Sequence, residues 1–132
     1  PVYLQDIMPT ALELAGVDKP DWVEFHSLLP LLRSDRPQTA YPAIYGAYLG
    51  FQRAVIEDQW KLIVYPEAGV KRLYHLAEDP DEMHDLAGDP AHAARVERLT
   101  ERLKQLQRQF DDRLDLDAPP ASQPAASRSP SQ

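Results

Sequence analysis

Between residues 41 and 76 the sequence holds four short runs rich in aromatic and β-branched residues, separated by brief turns, and this stretch constrains the fold more than any other. The runs are Tyr41–Leu49, Phe51–Glu57, Gln59–Tyr65 and Lys71–Leu76, with Gly50, Asp58 and the Pro66–Gly69 stretch as breaks. A parallel crossover takes about a dozen residues or more, so strands this close must return antiparallel. The expectation is a four-stranded antiparallel meander. In its third strand Trp60, Leu62 and Val64 share one face, and Lys61, Ile63 and Tyr65 share the other. Both faces are partly apolar, so each needs a cover.

One cover is legible downstream. Asp89-Pro90 opens a helix with an N-cap and a first-position proline, and Val96, Leu99, Leu103, Leu106 and Phe110 recur at spacings of three and four. A stripe of about three heptads is marginal as a coiled coil, so the helix over 90–112 is expected to lie across the sheet. A second helix is expected over 6–15, with Asp6 as its cap, Pro9 in its first turn and Gly16 as its stop. Residues 17–40 read as a long connection broken by Pro20, Pro30 and Pro37, with the apolar knot Leu28, Leu29, Leu31 and Leu32 and a short helix around Ser27–Leu32. The fold class is therefore α+β: a four-stranded antiparallel sheet packed by a long C-terminal helix, with a short N-terminal helix. The folded unit is expected to span 1–113. From Leu114 onward Pro, Ala, Ser and Gln dominate, so 114–132 is expected to be a disordered tail.

Composition narrows the partners. A net charge of −7 with no basic, aromatic-interleaved patch argues against nucleic acid and anionic membranes. No apolar run approaches the ~20 residues that span a bilayer. With no cysteine there is no disulfide, thiolate metal site or thiol nucleophile. His26, His75, His84 and His92 show none of the spacings of a metal site, and the acidic run Glu78, Asp79, Asp81, Glu82 lacks the ligand order of a calcium loop. These carboxylates read as solvated turn residues. The chain begins at Pro1 without a signal-peptide pattern, and it is expected to start inside a longer protein.

Several segments, in order, resemble one family. Asp6-Ile7-Met8-Pro9-Thr10-Ala11-Leu12-Glu13-Leu14-Ala15-Gly16 resembles the helix just past the metal site of type I sulfatases, members of the alkaline phosphatase superfamily. Ser27-Leu28-Leu29-Pro30-Leu31-Leu32 resembles their "G-x-S-L-x-P-L-L" segment. Arg53-Ala54-Val55 with Trp60-Lys61-Leu62-Ile63 resembles a strand pair of that family. Leu73-Tyr74-His75-Leu76, Asp79-Pro80-Asp81-Glu82 and Asp85-Leu86-Ala87 resemble its "L-Y-D-L … D-P-x-E … N-L-A" run. The likeness covers about residues 1–110 and places the chain at the C-terminal subdomain. Phe25 stands at a usual Gly, His75 at a usual Asp and Asp85 at a usual Asn; these departures read as turn and packing sites.

The resemblance implies a whole enzyme that hydrolyses sulfate esters with a formylglycine nucleophile and a divalent metal, usually Ca²⁺, both in an N-terminal α/β domain. None of those motifs lies in this chain. The chain is thus expected to be inactive alone, to close the substrate cleft of that catalytic domain, and to show an exposed apolar patch where the domain would dock. Two alternatives stand beside this reading: a phosphonate or phosphate monoester hydrolase of the same superfamily, and a stand-alone binding module. The compartment is not fixed by the sequence: family analogy suggests a periplasmic or secreted location, without excluding the cytoplasm. Substrate-side candidates are His26, Tyr48, Arg53 and Lys61, with Tyr45 and Trp60 as further cleft-lining aromatics. Arg53 and Lys61 also read as cross-strand partners of Glu57 or of the last helix's acids.

Overall fold

The computed structural model describes residues 1–35 and 38–118. Its elements are α1 (Ile7–Leu14), α2 (Leu29–Arg33), β1 (Ile44–Tyr48), β2 (Gln52–Glu57), β3 (Trp60–Tyr65), β4 (Val70–His75) and α3 (Ala93–Gln109). The strands form one sheet in the order β1-β2-β3-β4, so the expected meander is present. The chain divides into two compact units. One is Pro1–Ile44 with Ile56–Asp58, and the other is Tyr45–Val55 with Gln59 onward.

In the second unit β3 and β4 run antiparallel, with Trp60 opposite His75, Leu62 opposite Leu73 and Val64 opposite Lys71. Those six side chains share one face because successive residues of a strand alternate. Helix α3 covers that face. Leu62, Leu73, Leu99 and Leu103 are fully buried, the Lys71 ammonium donates to Thr100 Oγ1 at 3.2 Å, and the Arg95 guanidinium sits 4.1 Å over the Trp60 ring. Burying a leucine stabilises by roughly 1.5–3 kcal/mol, so these four account for much of the unit's core. On the opposite face Ile63 and Tyr74 are also buried. At the edge of that face Val70 is exposed, and further exposed apolar side chains include Leu4, Ile7, Met8 and Leu14 at or just before α1, Trp22 in the following loop, and Tyr48, Leu49 and Phe51 at the β1–β2 turn.

The β2–β3 connection is the two-residue loop Asp58-Gln59, both with positive φ (50° and 66°). This is the pattern of a type I′ hairpin, whose twist matches the flanking strands. In the β1–β2 turn the left-handed residue is Leu49 (φ 47°) rather than the neighbouring Gly50.

Helix α3 is shorter than the expected 90–112 span. Asp89 Oδ1 accepts from the Ala91 N–H at 2.8 Å, a 3₁₀ turn covers Pro90–His92, and the helix ends at Gln109. Beyond it the chain folds back: the Gln107 amide donates to the Leu114 carbonyl at 2.9 Å, the Lys104 ammonium donates to Asp117 at 2.7 Å, and Leu116 is buried. Residues 114–117 are therefore tied back to α3. The remainder of the expected tail, 119–132, lies outside the described residues.

In the first unit α1 ends in a Schellman motif, with Gly16 (φ 67°) in the left-handed conformation, the Val17 N–H on the Leu12 carbonyl at 2.9 Å and the Gly16 N–H on Glu13 at 3.1 Å. The start of α1 differs from expectation. The Asp6 side chain makes no capping bond to α1; it accepts the Tyr3 N–H that opens the preceding 3₁₀ turn, Leu4–Asp6, is fully buried and also faces the His26 and Tyr41 segments. Strand β1 begins only at Ile44, since the chain at Tyr41 is committed to Asp6.

Candidate functional site

Asp6 organises the first unit. Its Oδ2 accepts the Tyr3 N–H at 2.9 Å. Its Oδ1 accepts the His26 N–H at 3.2 Å and the Tyr41 hydroxyl. One turn on, the Thr10 hydroxyl donates to the Asp6 carbonyl at 2.6 Å and accepts the Leu28 N–H at 2.8 Å. Two residues of the Asp6–Gly16 motif thus staple residues 26–28 to the helix. Burial and the bond to Asp6 push the Tyr41 phenol up to about 12. The His26 ring packs on Tyr41 at 5.3 Å between centroids. Beside this network lies a cleft of about 230 Å³ whose polar lining is Asp6, His26, Ser27, Gln38, Thr39 and Tyr41. Of the residues singled out from the sequence as substrate-side, His26 is the one that lines it. Sequence reasoning missed Asp6 and Tyr41 as its supports, having assigned them to a helix cap and a strand.

The other candidates belong to the second unit. Arg53 is buried, and its Nε and Nη2 bond both oxygens of Asp112, the second at 3.1 Å. The same Asp112 takes the Tyr45 hydroxyl and the Leu114 N–H at 3.0 Å. Arg53, burial notwithstanding, holds the Asp112 carboxyl down at about 2. Burial first, then Asp112, raises the Tyr45 phenol above its ordinary range. Tyr45 also stacks on Phe110 at 5.2 Å. The Lys61 ammonium holds both oxygens of Glu82, at 2.6 and 2.8 Å. Both cations are thus engaged by carboxylates, Arg53 by an acid just past α3 and Lys61 by one in the 77–88 loop. Trp60 lies beneath α3, stacked on His75 at 4.3 Å. Tyr48 is exposed at the end of β1.

The acidic loop has a structural logic. Asp79 accepts the Met83 and His84 N–H groups at 3.0 and 2.8 Å, and these bonds lower its carboxyl from the ordinary value. Asp85 accepts the Leu73 N–H at 3.0 Å, which ties the loop to β4. His75 Nδ1 lies 3.2 Å from Glu78. Among the described residues no group of three or more His, Asp or Glu side chains is placed to hold a metal ion. No described helix is long and apolar enough to cross a membrane.

Compared with known families, residues 2–109 match the model for the N-sulphoglucosamine sulphohydrolase C-terminal domain. The chain belongs to this sulfatase C-terminal family. Among curated relatives, an arylsulfatase K from Xenopus laevis is 31% identical over 101 residues, which is 66% of this chain and 19% of that protein. An N-acetylglucosamine-6-O-sulfatase from Bacteroides thetaiotaomicron is 27% identical, over 81% of this chain and 21% of that protein. An uncharacterised protein from Haemophilus influenzae is 26% identical, over 86% of this chain and 60% of its own length. Among solved structures, one determined in complex with its substrate D-glucosamine-2-N,6-O-disulfate superposes with a TM-score of 0.68 at 27% identity, over 85% of this chain and 25% of that one. A phosphonate monoester hydrolase of Agrobacterium radiobacter shares the fold, with a TM-score of 0.54 at 22% identity over 79% of this chain and 24% of that one. The chain therefore spans about a fifth of the named sulfatases and 60% of the Haemophilus protein.

Proposed function

We propose that this sulfatase C-terminal domain closes the substrate cleft of a sulfuric ester hydrolase whose nucleophile and metal ligands lie in an N-terminal catalytic domain. The observation that carries this reading is the family match over residues 2–109 of a chain that spans only about a fifth of the sulfatases it resembles. A catalytic set for sulfate-ester cleavage needs a strong nucleophile and cations around the sulfuryl oxygens. The two cations singled out here, Arg53 and Lys61, are held by Asp112 and Glu82, which supports a shaping role rather than a chemical one. His26 and Tyr48 are the substrate-side residues in this reading, His26 from the wall of the Asp6–Tyr41 cleft and Tyr48 from the β1–β2 turn.

The substrate class is a sulfated amino sugar, a proposal supported by the relative that acts as an N-acetylglucosamine-6-O-sulfatase and by the structure solved with a glucosamine disulfate. The test is an assay of the polypeptide that carries this chain and its catalytic domain, on N- and O-sulfated glucosamine and on an aryl phosphonate monoester. The reading predicts sulfate release from the sugars. Turnover of the phosphonate with none of the sulfated sugars would overturn it.

A further inference from the structure

The first unit holds residues 25–28 on every side. Before His26, the Phe25 ring packs edge-on against Tyr3 with centroids 5.7 Å apart, and Tyr3 packs edge-on against Tyr41 at 4.8 Å. At His26 the N–H is shared between Asp6 Oδ1 and the Tyr41 hydroxyl oxygen, each at 3.2 Å. After it, the Leu28 N–H donates to Thr10 Oγ1 at 2.8 Å and the Leu29 N–H to Ser27 Oγ at 3.2 Å. The carboxylate at the centre is fully buried. Burying a charge is expensive unless it is well bonded, and here the bonding is directed at a loop rather than at capping α1.

The side chains on that loop are treated in the opposite way. His26 is exposed. Its ring packs against Tyr41, and among the described residues its two nitrogens take no hydrogen bond. The Ser27 hydroxyl accepts the Leu29 N–H and donates to none of the described residues, and the Gln38 amide is unbonded among them. All three side chains line the cleft of about 230 Å³. A fixed backbone that presents open polar groups to a cleft is pre-organised for a ligand, because the ordering cost is met before binding.

The lining selects the kind of group that fits. Imidazole, hydroxyl and amide each donate and accept, which suits the hydroxyls of a sugar. A second sulfate suits the cleft poorly. Asp6 accepts three bonds and donates none, the pattern of an anion, and like charges brought together repel. Size points the same way. Pockets for drug-sized ligands start at about 300 Å³, so this cleft has room for one ring and not for several.

We infer that His26 hydrogen-bonds a hydroxyl group on the sugar ring of the substrate in this cleft, and that Asp6 and Tyr41 are its positioning residues. The inference deepens the sulfatase reading and rests on it. It names the part of the sugar that is held and the residues that aim the group holding it.

The test uses the polypeptide containing both the catalytic domain and this chain, with steady-state kinetics on N- and O-sulfated glucosamine. His26→Ala should raise KM about three- to tenfold with little change in kcat, the effect of one uncharged hydrogen bond lost from uniform binding. His26→Gln keeps a donor and an acceptor, and should return KM to within about twofold of wild type. Removing Asp6 would orphan buried donors, so Tyr41→Phe tests positioning: it keeps the ring that packs on the imidazole and deletes the hydroxyl. It should raise KM about two- to fivefold. In a His26→Ala background it should change KM no further, since Tyr41 acts only through His26. A KM unmoved by His26→Ala would overturn the contact. So would a fall in kcat alone, which would make His26 a contact with the catalytic domain. Equal effects of Tyr41→Phe on KM in both backgrounds would overturn the positioning role. A wild-type polypeptide that turns over no sulfated sugar would overturn the sulfatase reading itself, and this inference with it.

Discussion

Arg53 and Asp112, 59 positions apart in sequence, meet in a two-pronged ion pair whose side chains are only 9% and 14% exposed. The pair ties the start of β2 to the segment leaving α3. Its guanidinium is the main reason the Asp112 carboxyl titrates near 2, below the ordinary aspartate value of about 3.9. A depressed carboxylate adds stability that is present above the unfolded pKa and is lost as pH falls through the folded one. The shift corresponds to about 2 kcal/mol at neutral pH. In urea denaturation, wild type should be more stable than Asp112→Asn at pH 7, and the gap should close between pH 4 and pH 2.

Asp6 collects donors from three chain segments while fully buried. Removing the carboxylate leaves the Tyr3 N–H and the Tyr41 hydroxyl without their acceptor, and leaves the His26 N–H with the Tyr41 hydroxyl oxygen alone, at 3.2 Å. Each buried orphan costs on the order of 1–3 kcal/mol. Asp6→Ala should therefore destabilise by about 3 kcal/mol or more. Tyr41→Phe removes one donor and leaves the other two satisfied, so it should cost about 1 kcal/mol. Thermal unfolding of the two variants orders them, and equal losses would contradict the network.

Tyr41 also makes an alkaline prediction. Burial and its bond to Asp6 hold the phenol at about 12, against about 10 in an unfolded chain. The folded state keeps this proton while the unfolded state loses it, so stability should be intact below pH 10 and should fall as pH rises toward 12. Ultraviolet titration at the phenolate band should show Tyr41 and Tyr45 ionising late in wild type. Tyr41→Phe should remove one of these two late ionisations and leave that of Tyr45.

The core and the surface should respond on different scales. Leu103 is fully buried between α3 and the sheet, and Leu103→Ala should cost about 2–5 kcal/mol. The Lys61–Glu82 pair is partly exposed, with side chains 23% and 31% accessible, and Glu82→Gln should cost less than about 1 kcal/mol. Denaturation midpoints of the two variants check the contrast.

The meander and α3 were readable because their signals are local: strand-length runs, short turns, and the 3–4 spacing of Leu99, Leu103 and Leu106. The Schellman end at Gly16 was readable for the same reason. The first unit was harder. Asp6 before a helical pattern resembles an N-cap, and nothing in the neighbouring residues says that its carboxylate faces Tyr41, 35 positions away. Tyr41 in turn looked like the start of a strand, because aromatic residues favour strands until a buried acceptor claims them. Leu116 went unread for want of periodicity. Arg53 and Lys61 show the limit at the candidate site. Sequence left open whether they face an anion or a carboxylate, since Asp112 and Glu82 reach them only through the tertiary fold.

The central claim is that this domain completes a sulfatase cleft without supplying the chemistry. Sulfate release from N,6-O-disulfated glucosamine measures it most directly, comparing the polypeptide of catalytic domain plus this chain, the same polypeptide lacking residues 1–118, and the chain alone. The account predicts turnover by the first and none by the other two. Undiminished turnover after the deletion, or release by the chain alone, would contradict it.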